Sequence, residues 1–237
     1  MSKSSHAVVW ALDSPTPAQL KEFFAQIESR RITKNSFQDF LRGGQQQLPD
    51  INWSVVYQKL GMEIEYQEFA ETVNWSDPNL WVVPVIKGAT CNKVVVAMKN
   101  DGVKFWLYAD DIDASLAHND RGPANSSYAI GFRRTIEADE ENKNLSADDL
   151  ASRGHIGTTL LERLLLGAGY FWTTGQHLDV KNITLSTSSR FLIGDVPSVH
   201  FSSDYGRVYV YGCNPGGRND VLRSRSAVPP PVAPQLA

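Results

Sequence analysis

Two short patterns in this chain place an imidazole and a carboxylate at a spacing that could bind a metal ion. They are His118-x-Asp120 and His177-x-Asp179. Residues two apart in an extended segment share a face, and transition metals accept this pair of ligand types. Brought together, the two patterns would supply four ligands. Alternatively, each histidine caps a helix or turn, and Asp120 and Asp179 begin turns.

A second set of polar residues could form a carboxylate site. Oxygen ligands of this kind suit magnesium, and a nearby lysine could sit close to a metal-bound water. The alternative is that these carboxylates cap helix starts and mark a solvated face. The candidates are Asp110, Asp111 or Asp113 together with Glu137, Asp139 or Glu141, and Lys143 as the cation.

Three arginines near the end of the chain form a small basic patch. Arg218, Arg223 and Arg225 could bind an anion, or they could form internal ion pairs. The net charge of −3 and the pI near 6.0 do not favour general attraction to nucleic acid or anionic lipid. Recognition of nucleic acid through this patch therefore stays a minor alternative.

Signatures of nucleophilic catalysis and phosphate binding are missing from the sequence. There is no Gly-x-Ser-x-Gly elbow, and the Gly-rich segment 212–218 has neither the lysine nor the hydroxyl of a phosphate loop. Cys91 and Cys213 have no histidine beside them. Two distant cysteines favour free buried thiols over a disulfide, and the first residues lack a secretory signal. We therefore expect a cytoplasmic protein.

The elements that must position these residues begin with helices. Thr16-Pro17-Ala18-Gln19 predicts a capped helix start, and a second helix is expected from Asn35 or Ser36 to Gly43-Gly44. A third, short helix is expected from Trp53 to Leu60.

After Pro78 the pattern changes to short β-branched and aromatic runs. Strands are expected at residues 81–86, 93–98, 103–108, 127–132, 180–186, 199–201 and 207–211. The Asp101-Gly102 pair predicts a hairpin between the second and third of these. In the last, Val208 and Val210 share one face while Tyr209 and Tyr211 share the other.

The acidic stretch from Glu137 leads into an almost wholly apolar run that ends at Trp172. Thr159-Leu160-Leu161-Glu162 matches a capping box, so we expect a long core helix here. Ser146 is expected to cap a shorter helix before it. The longest apolar run, 164–172, is far shorter than the roughly 20 residues that a membrane span needs.

The sequence therefore predicts an α+β fold: a helical N-terminal third, then a mostly antiparallel sheet with one long packed helix. We expect three regions, namely a helical region at residues 1–76, an α+β core domain at residues 77–226 and a Pro-rich disordered tail at residues 227–237.

Six motifs in the last two thirds of the chain also carry a resemblance. On them the chain resembles a family of uncharacterised bacterial proteins, found mainly in genomes from uncultured lineages. This resemblance implies kinship but no activity, cofactor or partner. The motifs are Asn119-Asp120-Arg121-Gly122-Pro123, the segment from Glu137 to Ser146, Thr159-Leu160-Leu161-Glu162-Arg163, His177-Leu178-Asp179-Val180, Gly194-Asp195-Val196-Pro197 and Leu222-Arg223-Ser224-Arg225-Ser226.

The chain departs from that family at one informative place. Relatives often have Leu-Cys-Ala-Gly-Ser-Arg where this chain has the segment from Leu185 to Arg190. This chain has no cysteine in that segment, so thiol chemistry at that position would have no sulfur. The Pro-rich tail is also an addition relative to the family.

The leading functional hypothesis is a binding or assembly module that uses its acidic segment and the loops between Asp110 and Asn144 to hold a protein partner. No cofactor is predicted for it. The alternative is a metal-dependent hydrolase or nuclease, for which a divalent metal would be the cofactor.

Overall fold

The computed structural model describes residues 16–33, 37, 48–73 and 75–231. The chain divides into two compact units, Met1–Leu48 and Pro49–Ala237. The boundary predicted at residue 76 lies inside the second unit. Helices and mixed sheets together make the chain an α+β protein, as the sequence predicts. Among the described residues, no helix has the length and apolar character needed to cross a membrane.

The described part of the first unit contains helix α1, Pro17–Glu28. Its start is the predicted capping box, because the Thr16 side chain accepts from the Gln19 N–H while the Gln19 side chain accepts from the Thr16 N–H. The helix predicted to begin at Asn35 or Ser36 and to end at Gly43-Gly44 lies largely outside the described residues.

The second unit contains six α-helices within the described residues. The longest, α7, begins with the predicted Thr159/Glu162 capping box and ends at Gly175, whose φ of 72° is the left-handed conformation that glycine adopts readily. The helix predicted from Trp53 is α2. The six are α2 (Trp53–Lys59), α3 (Glu63–Ala70), α4 (Cys91–Asn100), α5 (Ile112–Ser115), α6 (Ala147–Ser152) and α7 (Leu160–Thr174).

Within the part of the chain that the structure describes, the strands form three sheets. A five-stranded sheet has the order β2-β8-β7-β5-β9, and two-stranded sheets pair β1 with β4 and β3 with β6. Most pairings are antiparallel, whereas β2 with β8 and β5 with β9 are parallel. The strands are β1 (Leu80–Val85), β2 (Lys104–Leu107), β3 (Leu116–Asn119), β4 (Tyr128–Arg133), β5 (Ile183–Leu185), β6 (Ser189–Phe191), β7 (Val196–Ser202), β8 (Arg207–Cys213) and β9 (Leu222–Arg223).

One predicted strand is wrong, because residues 93–98 belong to helix α4. Cys91, Val94, Val95 and Met98 are buried, and this spacing is that of one helical face. The Thr90 side chain accepts from the Lys93 N–H and caps the helix. The predicted Asp101-Gly102 hairpin is therefore also wrong: the turn ends α4, and β2 pairs in parallel with β8 instead.

Helix α7 is the central element in the core of the second unit. Leu160, Leu165 and Leu166 are fully buried, and the helix packs against α2, α4, β1 and β7. Gly169 of α7 allows close packing of the segment that leads into α2, since a Cβ at this position would lie 2.6 Å from Cγ2 of Ile51. The long packed helix is therefore present as predicted.

The first residues of the predicted Pro-rich tail are hydrogen-bonded to the fold. Ala227 N donates to the Ile156 carbonyl, and Val228 exchanges two backbone hydrogen bonds with Gly131 of β4. The chain is thus anchored in extended form through Val228, and residues 232–237 lie outside the described part.

Candidate functional site

One metal candidate, Asp179, is instead the centre of a buried group of charges. Its carboxylate is fully buried and accepts from Arg163 Nε at 2.8 Å and from Arg225 Nη2 at 2.7 Å. The Thr184 hydroxyl also donates to it. Burial raises the pKa of Asp179, but Arg225 and Arg163 outweigh that effect, so the pKa is lowered and the group is ionised.

A second buried carboxylate, Glu162, lies in the first turn of helix α7. Arg121 donates to it from Nε and Nη2, both at 2.6 Å, and the Tyr128 hydroxyl donates at 2.8 Å. The Thr159 N–H also donates to it, as the capping box requires. We call the five residues of these two clusters the buried charge network: Arg121, Glu162, Arg163, Asp179 and Arg225.

The acidic segment that precedes the core helix is tied into the fold. Glu137 accepts from the backbone N–H groups of residues 180–182. Asp139 is only 4% exposed and accepts from the Ser226 N–H at 2.7 Å. Glu140 pairs with Arg223, and Glu141 pairs with Arg133. Glu137 caps amides that lead into β5 and not a helix start, and Asp139 is buried and does not mark a solvated face. The side chains of Glu140 and Glu141 pair with arginines of the same chain but stay exposed.

The remaining candidates for the carboxylate site do not take part in the contacts just described for the acidic segment. Asp110 and Lys143 are exposed, and no described residue forms an ion pair with either side chain. Asp111 caps α5, accepting from the Ala114 N–H, and Asp113 accepts from the N–H groups of Cys91 and Asn92.

The two His-x-Asp patterns have different structural roles. His118 Nε2 lies 2.9 Å from Asp120 Oδ1 at the exposed end of strand β3. His177 is stacked between Phe171 and Phe201, at centroid distances of 4.8 and 3.9 Å. Burial and then Arg163 lower the pKa of His177 to about 4. Within the ranges described, no three His, Cys, Asp or Glu side chains are grouped so as to hold a metal ion.

The three arginines proposed as an anion site each have an acidic partner. Arg218 donates to Asp149 at 2.6 Å on the surface, and Arg223 pairs with Glu140. Arg225 is buried and donates to Asp179 and to the carbonyls of residues 135 and 136. The sequence left two interpretations of this patch, an anion site and internal ion pairs. The observed contacts are ion pairs with other residues of the same chain.

A serine and a histidine meet in the core without forming a nucleophile that a substrate can reach. His155 Nε2 lies 3.2 Å from the Ser224 hydroxyl, which sequence spacing gave no reason to expect. Ser224 is fully buried and donates to the Leu185 carbonyl, so the contact satisfies core polar groups. Both cysteines are free: burial followed by Asp113 raises the pKa of the Cys91 thiol, and burial raises that of the half-buried Cys213 thiol, so neither shift favours the thiolate.

A small cavity lies between α7 and the five-stranded sheet. Its volume is about 20 Å³, and Arg163, Gly167, His177 and Leu178 are among the residues that line it. That volume accommodates one water molecule and no larger ligand.

One half of one face of the five-stranded sheet is partly exposed to solvent. The other half of this face is covered by α6, where Ala147 packs with Leu185, Val196 and Leu222. The open half carries five rings from β2, β7, β8 and the β7–β8 turn. We call these rings the aromatic face: Trp106, His200, Tyr205, Tyr209 and Tyr211.

The rings of the aromatic face form a continuous stack across three strands. Tyr209 stacks on Trp106 at 5.9 Å and on His200 at 5.2 Å, and Tyr205 meets Tyr209 edge-on at 6.2 Å. Trp106 is 45% exposed and Tyr205 is 65% exposed. No described residue forms a hydrogen bond with the indole N–H of Trp106 or with the hydroxyls of Tyr205 and Tyr209. The edges of these rings are therefore available for contact.

Two cations border the aromatic face. Lys104 of β2 and Arg207 of β8 are paired in register, one pleat repeat from the Trp106–Tyr209 pair. Neither forms an ion pair within the described ranges, although Arg207 lies 5.9 Å from the Tyr205 ring. The alternation in β8 predicts part of this face, because it places Tyr209 and Tyr211 on the same side of the strand. It gave nothing on Trp106 and His200, because strand order is not encoded locally.

Comparison with known proteins adds no functional information, since no family profile, curated protein or solved structure significantly matches this chain. The resemblance to an uncharacterised bacterial family therefore stays a prediction.

Proposed function

We propose that this chain is a cytoplasmic binding or assembly module that holds a protein partner, with the aromatic face as its contact surface. The contact surface differs from the one predicted by sequence, because the carboxylates of the acidic segment bind the fold itself. Two free cysteines fit a reducing compartment.

The observation that carries this proposal is the ring stack of Trp106, Tyr209 and His200, in which Trp106 is exposed and the other two rings are half-buried, with the exposed Tyr205 beside it. Tyr, Trp and Arg dominate the energetic centres of protein interfaces, because they bury a large area at a small entropic cost and retain a polar edge. Arg207 at the border completes that composition. Soluble proteins seldom leave such a patch open without a binding role.

The test is affinity capture from the source lysate with wild-type chain and with a Trp106→Ser/Tyr209→Ser variant, followed by reconstitution with the purified partner. Removing an interface ring costs about 2 kcal/mol or more, which is about a 30-fold weaker Kd for each ring. A Tyr66→Ser variant is the matched control, because Tyr66 lies in the helical part of the unit and its ring partner among the described residues is Tyr57.

We expect the partner to be lost from the double variant and retained by the control. The proposal fails if wild-type chain is reproducibly recovered alone, or if both variants hold the same partner with equal affinity. Far-ultraviolet circular dichroism on all three proteins verifies that any loss is not a folding defect.

A further inference from the structure

We propose that the partner of the aromatic face is a protein that contacts it through an extended acidic segment, in which Asp or Glu occupies every second position. The carboxylates of this segment lie against Lys104, Arg207 and the donor edges of the rings. This inference rests on the proposed function and deepens it, because it names the chemistry of the segment that the face holds.

The two cations that border the aromatic face lack a counter-charge within the described ranges. Lys104 and Arg207 are in register on neighbouring strands, and such strands lie about 4.8 Å apart, so the two positive charges repel each other. Asp204, in the adjacent β7–β8 turn, forms an ion pair with neither. Arg207 is half-buried, and its enclosed Nε has no hydrogen-bond partner among the described residues. An anion beside these two side chains would offset both charges.

The rings of this face add hydrogen-bond donors and positive ring edges. The indole N–H of Trp106 can only donate, and the hydroxyls of Tyr205 and Tyr209 can donate. None of the three groups has a hydrogen-bond partner among the described residues. The edge of an aromatic ring also carries partial positive charge. A carboxylate accepts from donors of all these kinds, so the face favours it over a neutral or a cationic group.

The stacking of the rings favours a carboxylate over a nucleic-acid base. Tyr209, on the strand between the other two, stacks on Trp106 and on His200 at interplanar angles of 28° and 11°. Its two faces therefore meet other rings, and its edge is left for a ligand. Proteins that bind single strands stack bases on open ring faces, and Tyr209 offers none. The net charge of −3 also disfavours a long polyanion.

The spacing of the cations and donors sets the pattern of the acidic segment. Lys104 and Trp106 lie two residues apart on one face of β2, and Arg207 and Tyr209 lie in register with them on β8. The cation row and the ring row are therefore about 7 Å apart along the strands. An extended segment that runs along the strands places alternate side chains at the same repeat. Two carboxylates separated by one residue thus reach both rows at once.

Labelled peptides test this recognition on the purified full chain by fluorescence anisotropy. One peptide consists of five Glu-Thr repeats, and its matched control consists of five Gln-Thr repeats. We expect the Glu-Thr peptide to bind about 10-fold more tightly or better. Lys104→Gln should weaken its binding about 2- to 5-fold, as for an exposed ion pair. Arg207→Gln should weaken it about 10-fold or more, because the half-buried guanidinium makes charge-assisted hydrogen bonds.

The double variant Lys104→Gln/Arg207→Gln should lose the preference for the Glu-Thr peptide. Lys99→Gln and Arg153→Gln remove the same charges at exposed sites elsewhere and should leave the preference unchanged. Thermal melts of every variant verify that a loss of binding is not a folding defect. Should Arg207→Gln fail to fold, the exposed Lys104→Gln still carries the test.

Every other outcome overturns the acidic specificity. Equal binding of the two peptides does so, and so does binding of neither or a preference that the double variant retains. An oligo(dT) of ten nucleotides is the third probe. If it binds more tightly than the Glu-Thr peptide and Lys104→Gln weakens that binding, the cations belong to a nucleic-acid site instead.

Failure of this inference is distinguishable from failure of the proposed function. If the chain does not distinguish the peptides but a protein is captured and lost on Trp106→Ser/Tyr209→Ser, the acidic specificity falls and the binding function stands. If the wild-type chain is reproducibly recovered alone, the proposed function falls whichever peptide binds.

Discussion

The buried charge network and the aromatic face use their side chains in opposite ways. Arg163, Asp179 and Arg225 are almost fully enclosed, and both arginines pair with the Asp179 carboxylate inside the fold. Trp106 is exposed and Tyr209 is half-buried, and no described residue forms a hydrogen bond with the indole N–H or with the Tyr209 hydroxyl. Charged residues drew attention in the sequence, yet here they stabilise the structure, while uncharged rings are available for binding. Substitutions in the two regions should accordingly change different quantities.

The largest effect on stability is expected from Asp179→Asn. The substitution keeps the side-chain shape, and asparagine tolerates the φ of 55° at this position, but it leaves Arg163 and Arg225 buried without a counter-charge. Breaking a buried ion pair from one side costs about 3–5 kcal/mol. Urea denaturation measures the change. An Asp204→Asn variant, on the exposed β7–β8 turn, should match wild type. A loss of less than about 1 kcal/mol at Asp179 would mean that the network does not hold the fold.

A smaller loss is expected from Glu162→Gln. The glutamine fits the space, but its neutral amide cannot offset the charge of Arg121. The Arg121 guanidinium must then be hydrated by solvent instead. Because the Arg121 side chain is 21% exposed, it can be partly rehydrated, so we expect a loss of about 2–3 kcal/mol. The same denaturation series measures it. A larger effect than at Asp179 would contradict the ranking by burial.

The pH dependence of stability should report the stacked His177. Its pKa is lowered to about 4 in the folded chain from 6.5 in the unfolded chain, mainly by burial. Between these values the unfolded state binds more protons, so stability falls as pH decreases from about 6.5 to about 4 and is unaffected above that range. Because the ring is only half-buried, solvent reduces the effect to about 1–2 kcal/mol.

A His177→Phe variant isolates this contribution. Phenylalanine preserves the stack between Phe171 and Phe201 but does not titrate. The variant should lose less stability than wild type between pH 6.5 and pH 4 in thermal melts. Parallel curves for the two proteins would contradict the proposed role of His177.

Much of the fold follows from local signals in the sequence. The capping boxes at Thr16 and Thr159 and the alternation in β8 are contained within a few residues, and each is confirmed. The strand prediction for residues 93–98 was wrong because valines favour strands. The helical spacing of the buried positions can be recognised only when it is known which side of the segment is covered. Tertiary packing decided that conflict in favour of the helix.

The contacts of the buried charge network and of the aromatic face could be predicted only in part. Arg225 meets Asp179 across 46 residues, and Trp106 meets Tyr209 through a parallel pairing of distant strands. Neither contact leaves a spacing pattern, because both depend on strand order. The sequence therefore supplied the residue types of both regions and could not assign them to the interior or to the surface.

The smallest effect on stability, and the one that most sharpens the comparison, is expected from Trp106→Ser. The indole is 45% exposed and its ring contact within the described residues is Tyr209, so its removal should cost about 1 kcal/mol or less. Partner binding should nevertheless weaken about 30-fold or more, because an interface ring contributes its energy only in the complex. Denaturation and binding measured on the same preparation give the two numbers. Were Trp106→Ser to destabilise the chain as much as Asp179→Asn while leaving every interaction intact, the rings would be part of the core, and binding would have to be sought elsewhere.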